Sequence, residues 1–173
     1  MKLLVMSDTH GELKRTREVI QEHRDVDFII HLGDVGFDKY YLPNAYIVCG
    51  NHDQHKYVKE MEMNFNGIQT LMVHGDCFEY ALVERMQKDD TLWTSWDACM
   101  DIMYDCAVQR AIKQKVQMVL FGHTHTAYFE KRKGIYLCNP GSLCFSHDGR
   151  NPSYAILTIE GGEVNCHHEF LNL

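Results

Sequence analysis

Five short apolar runs, at residues 3–6, 28–31, 46–49, 70–73 and 118–121, each stop at a small polar cluster. Runs of this length, rich in aliphatic and β-branched residues, read as buried strands, and the clusters read as the loops that follow them. Between the first two, residues 12–23 carry Leu13, Val19 and Ile20 among charges, which predicts an amphipathic helix with a narrow apolar stripe. Strand, helix and parallel strand then close as a right-handed crossover. Residues 97–115 repeat Ala98, Ile102, Cys106, Ala107 and Ile112 at helical spacing, a second helix that feeds the strand at 118. It sets Cys99 and Cys106 on one face, where packing accounts for them.

Beyond Gly122 the pattern changes. Residues 127–131, 135–138, 154–160 and 163–170 read as short strands joined by turns such as Lys133-Gly134 and Gly161-Gly162, so the last part is mostly antiparallel hairpins. The fold class is α/β, with two sheets face to face and helices outside rather than one open parallel sheet. Residues 79–97 match no core element. With Trp93 and Trp96 they read as a cap or insertion on one domain spanning 1–173, the tryptophans either finishing a core or stacking on a flat group.

Composition changes this picture little. A chain of 173 residues can bury roughly 70% of its unfolded surface, and 45% hydrophobic with 24% charged residues is ordinary for a globular protein. The net charge of −7 and the lack of a basic stripe speak against a nucleic-acid partner. The opening run is too short for a signal-peptide core, and no stretch approaches the ~20 apolar residues of a membrane span. Seven cysteines without a Cys-x-x-Cys pair suggest neither a disulfide framework nor a zinc ribbon. A cytoplasmic protein follows, with a homo-oligomer left open.

The chemistry lies in the clusters: Asp8-Thr9-His10, Gly33-Asp34, Gly50-Asn51-His52-Asp53, His74-Gly75-Asp76 and Gly122-His123-Thr124-His125. Singly each has a bland reading, as a helix cap, a turn or a chance histidine pair. Together, at the ends of buried strands, they supply carboxylate, imidazole and amide groups to the crevice where α/β sheets bind ligands. That mixture suits manganese, iron, zinc or nickel better than calcium. A sixth cluster, Asn139-Pro140-Gly141-Ser142, reads as a tight turn beside the site. His147, His167 and His168 lie outside the clusters and read as surface or strand residues, and Cys49 and Cys77 are not expected to ligate.

In order and spacing these motifs resemble the calcineurin-like metallophosphoesterases, and are most similar to their YfcE-type phosphodiesterase branch. The resemblance implies a four-layer αββα sandwich of two mixed sheets flanked by helices. It implies two divalent ions, manganese foremost: Asp8, His10, Asp34 and His125 hold one, while Asp34, Asn51, His74 and His123 hold the other. The metals would share a hydroxide as nucleophile, with His52 facing the phosphate. Four metal charges, less two carboxylates and one hydroxide, leave about one positive charge, which balances a phosphodiester better than a monoester. The expected partner is therefore a small, nucleotide-derived phosphoester, with Asn51, His52, Trp93 and Trp96 as its contacts.

Three departures from the family pattern stand out: Asp76 where many relatives have histidine, Phe37 where larger members place a carboxylate that orients the catalytic histidine, and the long segment 79–97. Asp38 and Asp53 are the candidates to replace that carboxylate. The competing readings are a non-catalytic protein-binding scaffold like the retromer subunit of this fold, a nuclease like the double-strand-break repair branch, and a phosphomonoesterase.

Overall fold

The structure is a computed structural model that describes residues 1–88 and 95–172. One sheet has the order β10 (Glu163–Phe170), β9 (Ser153–Glu160), β1 (Lys2–Met6), β2 (Phe28–His31) and β3 (Ala45–Ile47). The other runs β4 (Glu60–Phe65), β5 (Ile68–Val73), β6 (Met118–Leu120), β8 (Ile135–Asn139) and β7 (Tyr128–Arg132). Both are mixed, with parallel pairs β1–β2, β2–β3, β5–β6 and β6–β8. Helix α1 (Leu13–Glu22) covers the first sheet; α2 (Asp76–Met86) and α3 (Trp96–Gln114) cover the second. This is the four-layer αββα sandwich.

Strand alternation builds the layers. In β1, Leu3 and Val5 enter the core between the sheets, while Leu4 and Met6 pack beneath α1 with Val19. In β6, Met118 and Leu120 face the same inter-sheet core, whereas Val119 and the following Phe121 meet α2 and α3. Each central strand is thus buried on both faces, which is why it reads as a continuous apolar run.

Two elements differ from expectation. Glu60–Phe65 is an edge strand, with Met61 and Met63 against the core and glutamates outward. Its alternation is real, but methionine and glutamate are weak strand formers, and edge strands tolerate charge. Residues 76–86 form α2, whose Phe78, Leu82 and Met86 are buried at i, i+4, i+8. Exposed Tyr80 and Val83 blur that stripe. Trp96 opens α3, capped by Ser95 Oγ, which accepts from Ala98 N; Trp93 lies outside the described residues. Among the described residues no helix is long and apolar enough to cross a membrane.

Candidate metal centre

The polar clusters gather at the carboxyl ends of β1, β2, β3, β5 and β6, as parallel pairing requires. Past β1 and β2 the backbone ladder continues: Asp8 N donates to Gly33 O at 3.0 Å, His10 N to Asp34 O at 2.9 Å and Gly11 N to Val35 O at 3.0 Å. Asp53 then accepts from Asp34 N, Val35 N and Gly50 N at 2.7, 2.9 and 2.8 Å, tying two loops to one buried carboxylate. The loops touch closely enough that a Cβ at Gly50 would stand 2.0 Å from Asp34 Oδ1. Asp8, His10, Asp34, His123 and His125 all adopt left-handed backbone, with φ between 42° and 68°. Non-glycine residues held there store strain, and such strain concentrates at functional sites.

Asp8 and Asp34 are buried, and imidazoles surround them. His74 Nε2 is 3.5 Å from Asp34 Oδ2 and 3.9 Å from Asp8 Oδ1; His10 Nε2 is 3.8 Å from Asp34 Oδ2; His125 Nε2 is 3.3 Å from Asp8 Oδ1. Two sets of potential ligand atoms converge, Asp8 with His10 and His125, and Asp8 with Asp34 and His74. Burial works against the Asp8 charge, but the neighbouring His125 and His74 outweigh it and hold its pKa at about 2. Burial lowers the His10 pKa, against the pull of Asp8 and Asp34.

The imidazoles are aimed. His74 Nδ1 donates to Leu32 O at 2.7 Å and His125 Nδ1 to Phe145 O at 3.0 Å. A carbonyl only accepts, so in the neutral rings both Nε2 lone pairs face inward, toward carboxylates, the Asn51 Oδ1 atom 2.9 Å from His74, and the His10 Nε2 atom 3.2 Å from His125. A shared cation satisfies acceptors that face one another in this way. Asp8 Oδ1 is also buried and without a hydrogen-bond partner. Divalent ions held by the two sets would satisfy these atoms, so the donor set fits metal binding.

His123 is placed differently. Its backbone N donates to Asp8 Oδ2 at 2.9 Å, and its ring lies 5.1 Å from that of His74. Its Nε2, however, pairs with Glu79 Oε2 of α2 at 2.6 Å, which leaves Nδ1 as the nitrogen available to the centre. His52 stands at the rim with its side chain 68% exposed, Nε2 3.9 Å from Asp34 Oδ2, while its backbone N donates to Asp34 Oδ1 at 2.8 Å. Neither candidate carboxylate orients the His52 ring. Asp38 caps the turn Lys39–Tyr41 by accepting from Tyr40 N, and both Asp53 oxygens are taken by backbone N–H groups.

Several neighbours carried no sequence signal. Glu79 has no motif around it. His147 is exposed, as expected of a surface residue, yet its ring stands 4.8 Å from that of His125, beside Phe145. With Trp96, Glu79, His123 and Met100 it lines a cavity of about 430 Å³ next to the centre. The Asn139–Ser142 turn braces the site: Asn139 Nδ2 donates to Gly122 O and Thr124 Oγ1, and Ser142 Oγ donates to Asp8 O.

Residues 1–162 match the calcineurin-like phosphoesterase superfamily domain. A probable metallophosphoesterase of Mycoplasma pneumoniae is 31% identical, over 95% of this chain and 93% of its own. The phosphodiesterase MJ0936 of Methanocaldococcus jannaschii is 28% identical, over 94% and 96%. Among solved structures, a Vps29 variant from Entamoeba histolytica aligns over 99% of this chain and 100% of its own, with a TM-score of 0.67 and 18% identity, a likeness of fold alone.

Proposed function

Because this chain belongs to the calcineurin-like phosphoesterase superfamily, we propose that it hydrolyses a small phosphodiester at a pair of divalent cations. Asp8, His10, Asp34 and His125 would hold one ion; Asp34, Asn51, His74 and His123 would hold the other. The observation that carries this reading is the inward convergence of acceptor atoms on the two buried carboxylates, with Asp8 Oδ1 unpartnered. When bound, such ions polarise a phosphoryl oxygen and ease the deprotonation of water.

The protein's own groups supply the rest. His52, exposed at the rim, is placed to hydrogen-bond a phosphoryl oxygen or to protonate the departing one. The cavity beside His123 is lined mainly by apolar side chains and by Trp96, suited to a flat leaving group such as a nucleobase. Diester preference follows from charge, since two divalent ions less two carboxylates and one hydroxide leave about one positive charge, which balances a monoanion and not a dianion. The name of the archaeal relative supports it.

The test is a matrix. Chelated protein is reloaded with manganese, nickel, zinc or iron and assayed on a nitrophenyl monoester and its diester counterpart, with Asp34→Asn alongside. Metal-dependent turnover favouring the diester, lost in Asp34→Asn together with bound metal by elemental analysis, is the expected result. The competing reading is a non-catalytic protein-binding scaffold on the same fold. Metal-loaded protein that cleaves no phosphoester but retains a stable protein partner in pull-down would establish that instead.

A further inference from the structure

Away from the crevice, the two sheets bring a second group of metal-ligating atoms together. Cys138 on β8 belongs to one sheet; Cys166 and His168 on β10 belong to the other. Their ligand atoms lie within 4.8 Å of one another. Strand alternation explains the convergence: Cys166 and His168 are two apart on an extended strand and share one face, toward the inter-sheet core that contains Cys138. Neither the separation in sequence nor any motif announces the group.

The histidine is oriented for ligation. His168 Nε2 donates to Asn139 O at 2.8 Å, so its Nδ1 lone pair points at Cys166 Sγ, 3.7 Å away. A backbone carbonyl on the outer nitrogen is the arrangement that fixes the tautomer of metal-binding histidines. With metal–sulfur bonds near 2.3 Å and metal–nitrogen bonds near 2.0–2.1 Å, ligands around one tetrahedral ion stand roughly 3.5 Å apart. The observed separation needs little adjustment. The site is also reachable, since β10 is an edge strand and Cys166 and His168 are only half-buried, while Cys138 closes the inner side.

From this geometry we propose a second metal site, Cys138, Cys166 and His168, for one thiophilic d10 cation, zinc(II) or copper(I). Two sulfurs and one imidazole select such ions over manganese or magnesium, which prefer oxygen. Zinc(II) with two thiolates is electrically neutral, which suits the apolar surroundings. Both thiols give up their protons as the ion enters. The site is independent of the phosphoesterase reading, although Asn139 joins the two: its carbonyl holds His168 and its side chain holds the loop of His123 and His125.

Cobalt(II) separates this site from the crevice, because only thiolate ligation gives an intense sulfur-to-cobalt charge-transfer band in the near ultraviolet. Full-length protein kept reduced with a phosphine is titrated with cobalt(II), then with zinc(II) or copper(I). The proposal expects the band in wild type and in Asp34→Asn, its loss in Cys166→Ala and His168→Ala, and its displacement by whichever of the two ions is native. Should Cys166→Ala fail to fold, protection of Cys166 from iodoacetamide by zinc(II) in wild-type protein decides the same question. Absence of the band in folded wild type, its survival in Cys166→Ala, or no protection of Cys166 would overturn the site.

Discussion

Glu79 of α2 places a carboxylate oxygen 2.6 Å from His123 Nε2, on the side of the ring away from the backbone N–H that binds Asp8. As an ion pair it counts for little, because the Glu79 side chain is 52% exposed. As a positioning contact it decides which nitrogen of His123 faces the proposed metals. Replacing Glu79 with Ala is expected to weaken metal binding about 10–100-fold with little change in melting temperature, and Glu79→Gln to fall between. Calorimetric metal titration reads it; unchanged affinity in Glu79→Ala would mean that the pair is only a surface contact.

His52 offers a cleaner separation of binding from chemistry. Its backbone N–H, not its ring, holds Asp34, so a side-chain change leaves that carboxylate in place. For His52→Ala we expect full metal occupancy and a loss of ~10²–10⁴-fold in kcat, greatest for esters with basic leaving groups. Elemental analysis beside steady-state assays on a graded ester series measures both. Wild-type turnover of the most basic leaving group would remove His52 from the reaction.

The sequence carried most of the sandwich because its central strands are buried on both faces, as in Leu3–Met6 of β1, where every residue packs inward on one side or the other. It carried the loops because Asp8, Asp34, Asn51 and His74 each lie within three residues of the end of such a run. Contacts that depend on how helices lie over a sheet were not legible. Glu79 reaches His123 only because α2 folds back across β6, and Cys138 meets Cys166 only because two sheets stack. Neither relationship leaves a local pattern, and the edge strand Glu60–Phe65 hid behind residues that favour helices elsewhere.

Gly50 tests how closely the site depends on backbone contact. An added Cβ would sit 2.3 Å from Asp34 N as well as 2.0 Å from its Oδ1, and backbone cannot step aside as a flexible side chain can. Gly50→Ala should lose at least ~1–3 kcal/mol to overpacking and displace Asp34, taking metal binding with it. Gly67, in the β4–β5 turn with φ of +92° and open space around it, is the control. Gly67→Ala should lose stability through backbone strain alone and keep its metal. Urea unfolding and metal titration on both variants make the comparison; normal metal affinity in Gly50→Ala would show that the loops yield.

His31 predicts a pH dependence for the metal-free fold. Its Nδ1 accepts from Gly33 N at 3.2 Å, so its Nε2 donates to Thr9 Oγ1 at 3.0 Å, and Thr9 Oγ1 donates in turn to Val35 O at 2.8 Å. The chain requires a neutral ring, and complete burial pushes the His31 pKa down to about 4 from the ordinary 6.5. Between those values the unfolded chain binds a proton that the folded chain refuses, so stability is full above pH 6.5 and declines as pH falls toward about 4. The shift corresponds to about 3 kcal/mol in all. Urea unfolding of chelated protein across that window should show the decline, and His31→Gln, which cannot titrate, should flatten it; an equally steep decline in the variant would place the sensitivity in other groups.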